Sequence, residues 1–342
     1  MSPGRNRQNR RSTGFAGFSL YDSLCRGPFS VKHLALSGAL LLAGISLPGC
    51  TQFQAASACP APRLPAASPA PSRPPLKLAT WNLEWLMDEN GALAATAPLD
   101  RPHRTSADFE KLAAYAQHLN ADLVGLQEVD SLSTAERLFP ARAYQIFITR
   151  DALLQHPALA LRKPLRAHQN PDVTDLDTTP ATAPHHLRSG LDITVEIGTT
   201  PLRVLVVHLK TGCQDNPVSE QHHACPILLR QFAVLQNWIS ARAEAHEAFV
   251  IMGDFNRRLT EYDPFYLLLS HQAPLRLTTA GWASPCNGGT YFIDHILLGG
   301  AALRWEVPNS LRVMTYRADT QPATLSDHCA VSVRLAPTAE TP

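Results

Sequence analysis

Several things that would classify the 342-residue chain at once are missing from it. No glycine-rich nucleotide loop is present, which removes the P-loop and dinucleotide-binding classes. No segment repeats at a fixed period, so solenoids and propellers are excluded. The seven cysteines include no Cys-x-x-Cys pair, the usual support for a zinc site. A dominant charge is missing too. Residues 1–49 hold six of the 30 Lys/Arg and one of the 29 Asp/Glu, leaving 24 basic and 28 acidic residues beyond them, a net of −4. Such a chain has no global basic field to steer it onto nucleic acid, although a local groove can still be basic. The apolar run Leu34–Leu47, 14 residues long, falls short of the roughly 20 that a membrane-spanning helix needs.

What is there is ordinary for a globular protein, 45% hydrophobic and 17% charged, with length enough for two average domains or one large α/β domain. The 34–47 run follows basic residues and fits a signal-peptide core. It ends in Leu47-Pro48-Gly49-Cys50, which resembles a bacterial lipoprotein signal with Cys50 as the lipidated residue. Pro48 is unusual before the small residue, so ordinary cleavage and an uncleaved anchor stay open. Residues 51–75 are rich in Ala, Pro and Ser and read as an extended spacer. The expected organisation is therefore a lipoprotein-type signal peptide at 1–50, a linker at 51–75, a folded domain at 76–336 and a tail at 337–342. The expected location is outside the cytoplasm, either held to a membrane of the cell envelope by a lipid anchor or secreted. Cys213 and Cys225 bracket a short polar loop and are expected to form a disulfide, which suits an oxidising compartment. A zinc site with His222 and His223 is the alternative.

Within the folded part, strands are expected at 76–81, 122–126, 144–149, 191–197, 202–207, 248–252, 291–298, 311–315 and 329–335. Helices are expected from a Ser106 cap to Leu119, over 226–245 and over 265–269. Asp151–His186, with five prolines and little periodicity, reads as a loop-rich excursion. Polar residues recur where these strands end or are interrupted: Asn82, Glu128, His208, Asp254 with Asn256, Asp294, and Asp327 with His328. Singly each is an ordinary turn or surface residue. Alternation puts Asp254 and Asn256 on one side of the chain and Phe255 in the packing. Asp294 sits among apolar residues, where an unpaired carboxylate is costly, and an imidazolium is its natural partner.

The ordered set Trp81-Asn82, Gln127-Glu128, Val207-His208-Leu209, Gly253-Asp254-Phe255-Asn256, Ile293-Asp294-His295 and Ser326-Asp327-His328 resembles the endonuclease/exonuclease/phosphatase superfamily. The match covers 76 to about 336. The resemblance implies an α/β (α+β) four-layer sandwich, with two mixed β-sheets packed face to face and flanked by helices. It also implies divalent-metal-dependent hydrolysis of phosphate esters, with Mg²⁺ or Mn²⁺ as cofactor. By the same resemblance, Asn82, Glu128 and Asp327 hold the metal and Asp254 orients or deprotonates the attacking water. Asn256 holds the phosphate, and His328, paired with Asp294, stabilises the transition state or acts as general acid. His208 is a second histidine at the site, as in the deoxyribonuclease and sphingomyelinase branches, and Arg188 is a substrate contact. The substrate is nucleic acid or a phospholipid, with inositol phosphates a further option, and no obligate protein partner is implied. A catalytically silent binding module on the same fold is the alternative from another class.

Overall fold

The computed structural model describes residues 74–91, 93–222, 224–286, 289–317 and 325–337. The expected signal peptide, Cys50, nearly all of the linker and most of the tail lie outside the described residues.

Alternation along the strands sorts the apolar residues into three cores. In β1 (Leu76–Leu86), Leu76 and Leu78 face one way, and Ala79, Trp81 and Leu83 face the other. In β7 (Leu202–His208), Val204 and Val206 face one way, and Leu205 and Val207 the other. In β8 (Ala248–Asp254), Val250 and Met252 oppose Phe249 and Ile251. Leu76, Leu78, Val204, Val206, Val250 and Met252 all meet in one core, so the sheets holding β1 and β7–β8 lie face to face. Gly125 of β2 (Leu123–Val129) belongs to that interface. A Cβ there would stand 3.1–3.2 Å from Met252 and Val206 side-chain atoms of the other sheet.

The outer faces are covered by helices. Phe109, Leu112, Ala116 and Leu119 of α1 (Ser106–Leu119), with Ala135 and Leu138 of α2 (Leu132–Leu138), pack on the far side of the first sheet. Leu228, Phe232, Leu235 and Ile239 of α3 (Cys225–Glu244), with Phe265 and Leu269 of α4 (Pro264–Ser270), do so for the second. The order of layers is helix, sheet, sheet, helix, as the resemblance implied. Each sheet has six strands. The first runs β11-β12-β1-β2-β4-β3 and adds β3 (Tyr144–Ile148), β4 (His156–Arg162), β11 (Arg312–Met314) and β12 (Ala330–Leu335). The second runs β5-β6-β7-β8-β10-β9 and adds β5 (Arg166–Gln169), β6 (Leu191–Glu196), β9 (Leu275–Leu277) and β10 (Asp294–Gly299). Both are mixed: β1 pairs parallel with β2 and β7 with β8, and the other pairings are antiparallel.

Three expectations need correction. The stretch Asp151–His186 is not a loop-rich excursion throughout. It contains β4, buried and paired on both edges, and the shorter β5. Pro157 and the alanine-rich sequence His156-Pro-Ala-Leu-Ala-Leu-Arg162 carry little β-branched signal, and strands buried on both faces do not alternate. The α1 cap is Thr105 instead of Ser106, because Asp108 lies three residues on and closes a reciprocal capping box with it. β10 begins at Asp294, three residues later than expected.

Candidate active site

The parity that builds the inter-sheet core also builds the site. Continuing the inward-facing series 76, 78 along β1 reaches Asn82; 204, 206 along β7 reaches His208; and 250, 252 along β8 reaches Asp254. Reading β10 backward from Leu298 and Ile296 reaches Asp294. Four polar side chains therefore gather at the end of a largely apolar interface, next to the hydrogen-bonded pair Thr80–Gln127, and all four are buried. Strand pairing fixes their spacing, since His208 is in register with Asp254 and Asp254 with Asp294.

Glu128 arrives differently. The β1–β2 register shifts between Asn82 and Leu86, and the β2–β4 register shifts between Leu126 and Val129. Glu84, Trp85, Glu128 and Asn256 all adopt the left-handed backbone region, with φ of 44°, 54°, 63° and 50°. Non-glycine residues rarely hold that conformation without compensation, and such residues gather at functional sites. Here the compensation is visible. The Glu84 N–H donates to Asn82 Oδ1 (2.9 Å), the Trp85 N–H to Glu128 Oε2 (3.0 Å) and the Asp327 N–H to Glu84 Oε2 (2.8 Å). Arg104 braces the same bulge by donating to the Leu83, Glu84, Trp85 and Leu325 carbonyls. Gly253 has φ 149°, and a Cβ there would fall 1.9 Å from the Val207 carbonyl oxygen, so the last residue of β8 before Asp254 needs to be glycine.

Asn82 Nδ2 donates to both Glu128 Oε1 and Asp254 Oδ2 at 3.1 Å. His208 Nε2 lies 3.6 Å from Glu128 Oε1 and 3.8 Å from Asp254 Oδ2, which locates the carboxylates beside this second histidine. Asp254 Oδ1 accepts the Asn256 N–H at 2.7 Å. The Asn256 amide nitrogen donates to Leu209 O (3.0 Å) and Asp254 Oδ2 (3.1 Å). Both of its hydrogens are engaged, so in this geometry Asn256 positions Asp254 instead of presenting a donor to a phosphate. His328 Nδ1 bonds Asp294 Oδ2 at 2.8 Å, while Nε2 lies 3.9 Å from Asp254 Oδ2. Arg188 bonds Gln155 Oε1, and Gln155 Nε2 donates to Glu128 Oε2, so Arg188 reaches the site through one intermediary. Asp327 stands apart. Its carboxylate is exposed, lies 3.8 Å from His328 Nε2, and makes no hydrogen bond to Asn82 or Glu128. His295 faces the other side of β10, against Phe255, with its ring bonded to Thr279 and the Arg257 carbonyl.

Burial and charge set the protonation states. Burial opposes a charge on His328, yet the Asp294 carboxylate, its hydrogen bond and the Asp254 charge outweigh that and hold the imidazole well above the usual histidine value. Burial pushes Asp254 up to about 7, with the His328 charge pulling back and the Asp294 charge adding. Burial, with Arg188 and His328 nearby, holds His208 well below the usual value and so neutral. Glu84, which sequence reasoning passed over, is raised to about 7 by burial and then by the Asp327 charge.

Two sets of side chains are candidates for a cation. Asp254, Asp294 and His328 have ligand atoms within 4.8 Å of one another. His328 Nδ1 is committed to Asp294, and a doubly protonated imidazole has no lone pair to offer, so His328 is an ion-pair partner in this set and not a metal ligand. Asn82, Glu128 and Asp327, joined by Glu84, supply only hard oxygen donors. Asn82 and Glu128, in direct contact, have the donor chemistry a hard divalent cation takes, while Asp327 lies outside their hydrogen bonding.

Cys213 and Cys225 form a disulfide, both fully buried. A second bridge, unanticipated, joins Cys286 to Cys329, the residue after His328.

Comparison with known proteins agrees with this arrangement. No curated protein matches the sequence. Three solved structures illustrate the fold. A truncated Caenorhabditis elegans TDP2 has 14% identity over 77% of this chain and 98% of its own, with TM-score 0.50. The human nocturnin catalytic domain with bound sulfate has 17% identity over 78% and 95%, with TM-score 0.50. A 3'-5' exonuclease (NExo) from Neisseria meningitidis has 15% identity over 76% and 99%, also with TM-score 0.50. The model of the Endonuclease/Exonuclease/phosphatase family matches residues 79–328, a span that runs from β1 through His328 and includes every candidate active-site residue. The chain belongs to the endonuclease/exonuclease/phosphatase family.

Proposed function

We propose that this protein is a Mg²⁺-dependent phosphodiesterase of nuclease-like kind that hydrolyses its substrate by in-line attack of an activated water. Mn²⁺ is the alternative metal. The observation that carries the proposal is the convergence of a buried carboxylate poised near neutrality, Asp254, with a charged imidazole, His328, held by Asp294. A base and an acid whose environments move their proton affinities in these directions are what a phosphoryl displacement at neutral pH requires. Family membership supports a hydrolase of this metal-dependent class.

Asp254, oriented by Asn82 and Asn256, takes the proton of the attacking water. His328 faces it across 3.9 Å and donates a hydrogen bond to the charge developing on the phosphoryl group or its leaving oxygen. Neutral His208 offers Nε2–H beside the same carboxylates, and Arg188 contributes positive charge from behind Gln155. Asn82, Glu128 and Asp327 would hold the divalent ion, which when bound polarises the phosphate and neutralises its charge. We place the enzyme outside the cytoplasm, at the cell envelope or secreted, on the evidence of the 34–50 segment alone.

A phospholipid phosphodiester is the second substrate reading. The net of −4 beyond residue 49 favours it, because affinity for nucleic acid rests largely on neutralising phosphates. Parallel assays on plasmid DNA, RNA, sphingomyelin and inositol phosphates separate the two. Nucleic acid as the fastest substrate by tenfold or more supports the nuclease-like reading, sphingomyelin in that place replaces it, and silence on all four with Mg²⁺ and Mn²⁺ rejects the function.

A further inference from the structure

We propose that the Cys286–Cys329 disulfide is a positioning element for the Asp294–His328 pair, so that turnover depends on this bond being oxidised. The inference rests on the catalytic roles proposed above for that pair.

The two members of the pair come from segments 34 residues apart, and one hydrogen bond joins them. Cys329 directly follows His328 and precedes β12. Cys286 lies eight residues before Asp294, at the start of the approach to β10. The disulfide therefore ties together the same two segments that the hydrogen bond joins. The approach to β10 is held by loop contacts instead of a sheet ladder. Residues 281–293 contain no regular strand among the described residues, only an isolated bridge between Ala283 and Tyr291. Loop hydrogen bonds hold it as well, among them the Ser284 N–H to the Thr290 carbonyl (2.7 Å) and the Phe255 N–H to the Ile293 carbonyl (2.9 Å). Cys286, Cys329, Ser284, Tyr291 and Asp294 line one small cavity of about 30 Å³, which places the disulfide beside Asp294.

The two disulfides differ in access. Cys213 and Cys225 are fully buried against α3, whereas Cys286 is partly exposed. Exchange requires a thiolate to reach a sulfur, so a dithiol reductant opens Cys286–Cys329 first. One reductant thiolate attacks a bridge sulfur and expels the other cysteine as thiolate. The second reductant thiol then displaces the mixed disulfide and closes its own ring. Two electrons and two protons pass from the dithiol to the protein, leaving two cysteine thiols.

The test uses the full chain, treated with dithiothreitol under native conditions, with mass mapping of alkylated thiols to record which bridge is open. Opening Cys286–Cys329 should lower kcat on bis-p-nitrophenyl phosphate about 10- to 100-fold with little change in KM, as displacing a catalytic group by about an ångström does. Reoxidation should restore it. Cys286→Ser and Cys286→Ser/Cys329→Ser should show the reduced enzyme's kcat and no further response to dithiothreitol. Hydrogen exchange at 290–296 and 325–330 should quicken on reduction. A selectively reduced, folded protein with wild-type kcat would overturn the inference, as would unchanged exchange in those two segments. A wild-type protein silent on the diester rejects the proposed function instead, and the exchange measurement then decides the positioning role by itself.

Discussion

Replacing Asp294 with Asn keeps the side chain's shape and removes the charge that holds His328. The bond between them is 2.8 Å long and largely shielded from solvent, and burial otherwise disfavours a charged imidazole. A hydrogen bond to a charged group contributes about 1.5–3 kcal/mol. At about 1.4 kcal/mol per tenfold and per pH unit, its loss corresponds to a 10- to 100-fold fall in kcat and a pKa lower by about one to two units. The sign follows from the direction of the shift. His328 stays protonated well above the usual histidine range, so the wild-type enzyme should lose activity only as alkaline pH passes that raised value. In Asp294→Asn the alkaline limb of kcat/KM should move down by about one to two pH units. The assay is a pH–rate profile on bis-p-nitrophenyl phosphate at fixed metal and ionic strength. A variant whose limb does not move, with kcat within about threefold of wild type, would refute the assignment of His328 as an acid tuned by Asp294.

Two other perturbations test separate parts of the account. Gly253→Ala forces a Cβ against the Val207 carbonyl at a φ that L-residues avoid, and chemical denaturation should show a loss of roughly 3 kcal/mol or more; a loss under about 1 kcal/mol would mean the strand relaxes there. Asp254 is raised to about 7, so between roughly pH 4 and 7 the unfolded chain gives up this proton first and wild-type stability falls as pH rises. Asp254→Asn lacks that slope. In chelator its melting temperature should match wild type near pH 4 and exceed it by several degrees near pH 8, with turnover abolished; parallel curves at both pH values would contradict the burial argument.

Much of this site was legible before any coordinates, because a period of two along a strand is a strong rule. Once Leu76, Leu78, Val250 and Met252 are assigned to one face, Asn82 and Asp254 follow, and the cost of leaving Asp294 unpaired points to a histidine. The residues that escaped notice depend on local departures from that rule. Glu84 is aimed by left-handed backbone and a register shift, which alternation cannot reveal; Glu128, expected at the site, reaches it by the same departures. Gln155 links Arg188 to Glu128 from the start of a strand that Pro157 and its alanines concealed. The buried Arg257–Asp263 pair, which also caps α4, joins residues whose partners only the folded chain identifies. Cys286–Cys329 spans 43 residues and no local loop signals it, unlike Cys213–Cys225, so it was not anticipated although it is the pair left over.

The most direct measurement is a Mg²⁺ titration of bis-p-nitrophenyl phosphate hydrolysis by the wild-type protein and by Glu128→Ala, each started from metal-free enzyme. The account predicts no turnover in EDTA, saturable activation by Mg²⁺, and a metal requirement raised about tenfold or more in the variant. Hydrolysis that persists in chelator, or two titrations that superimpose, would contradict it.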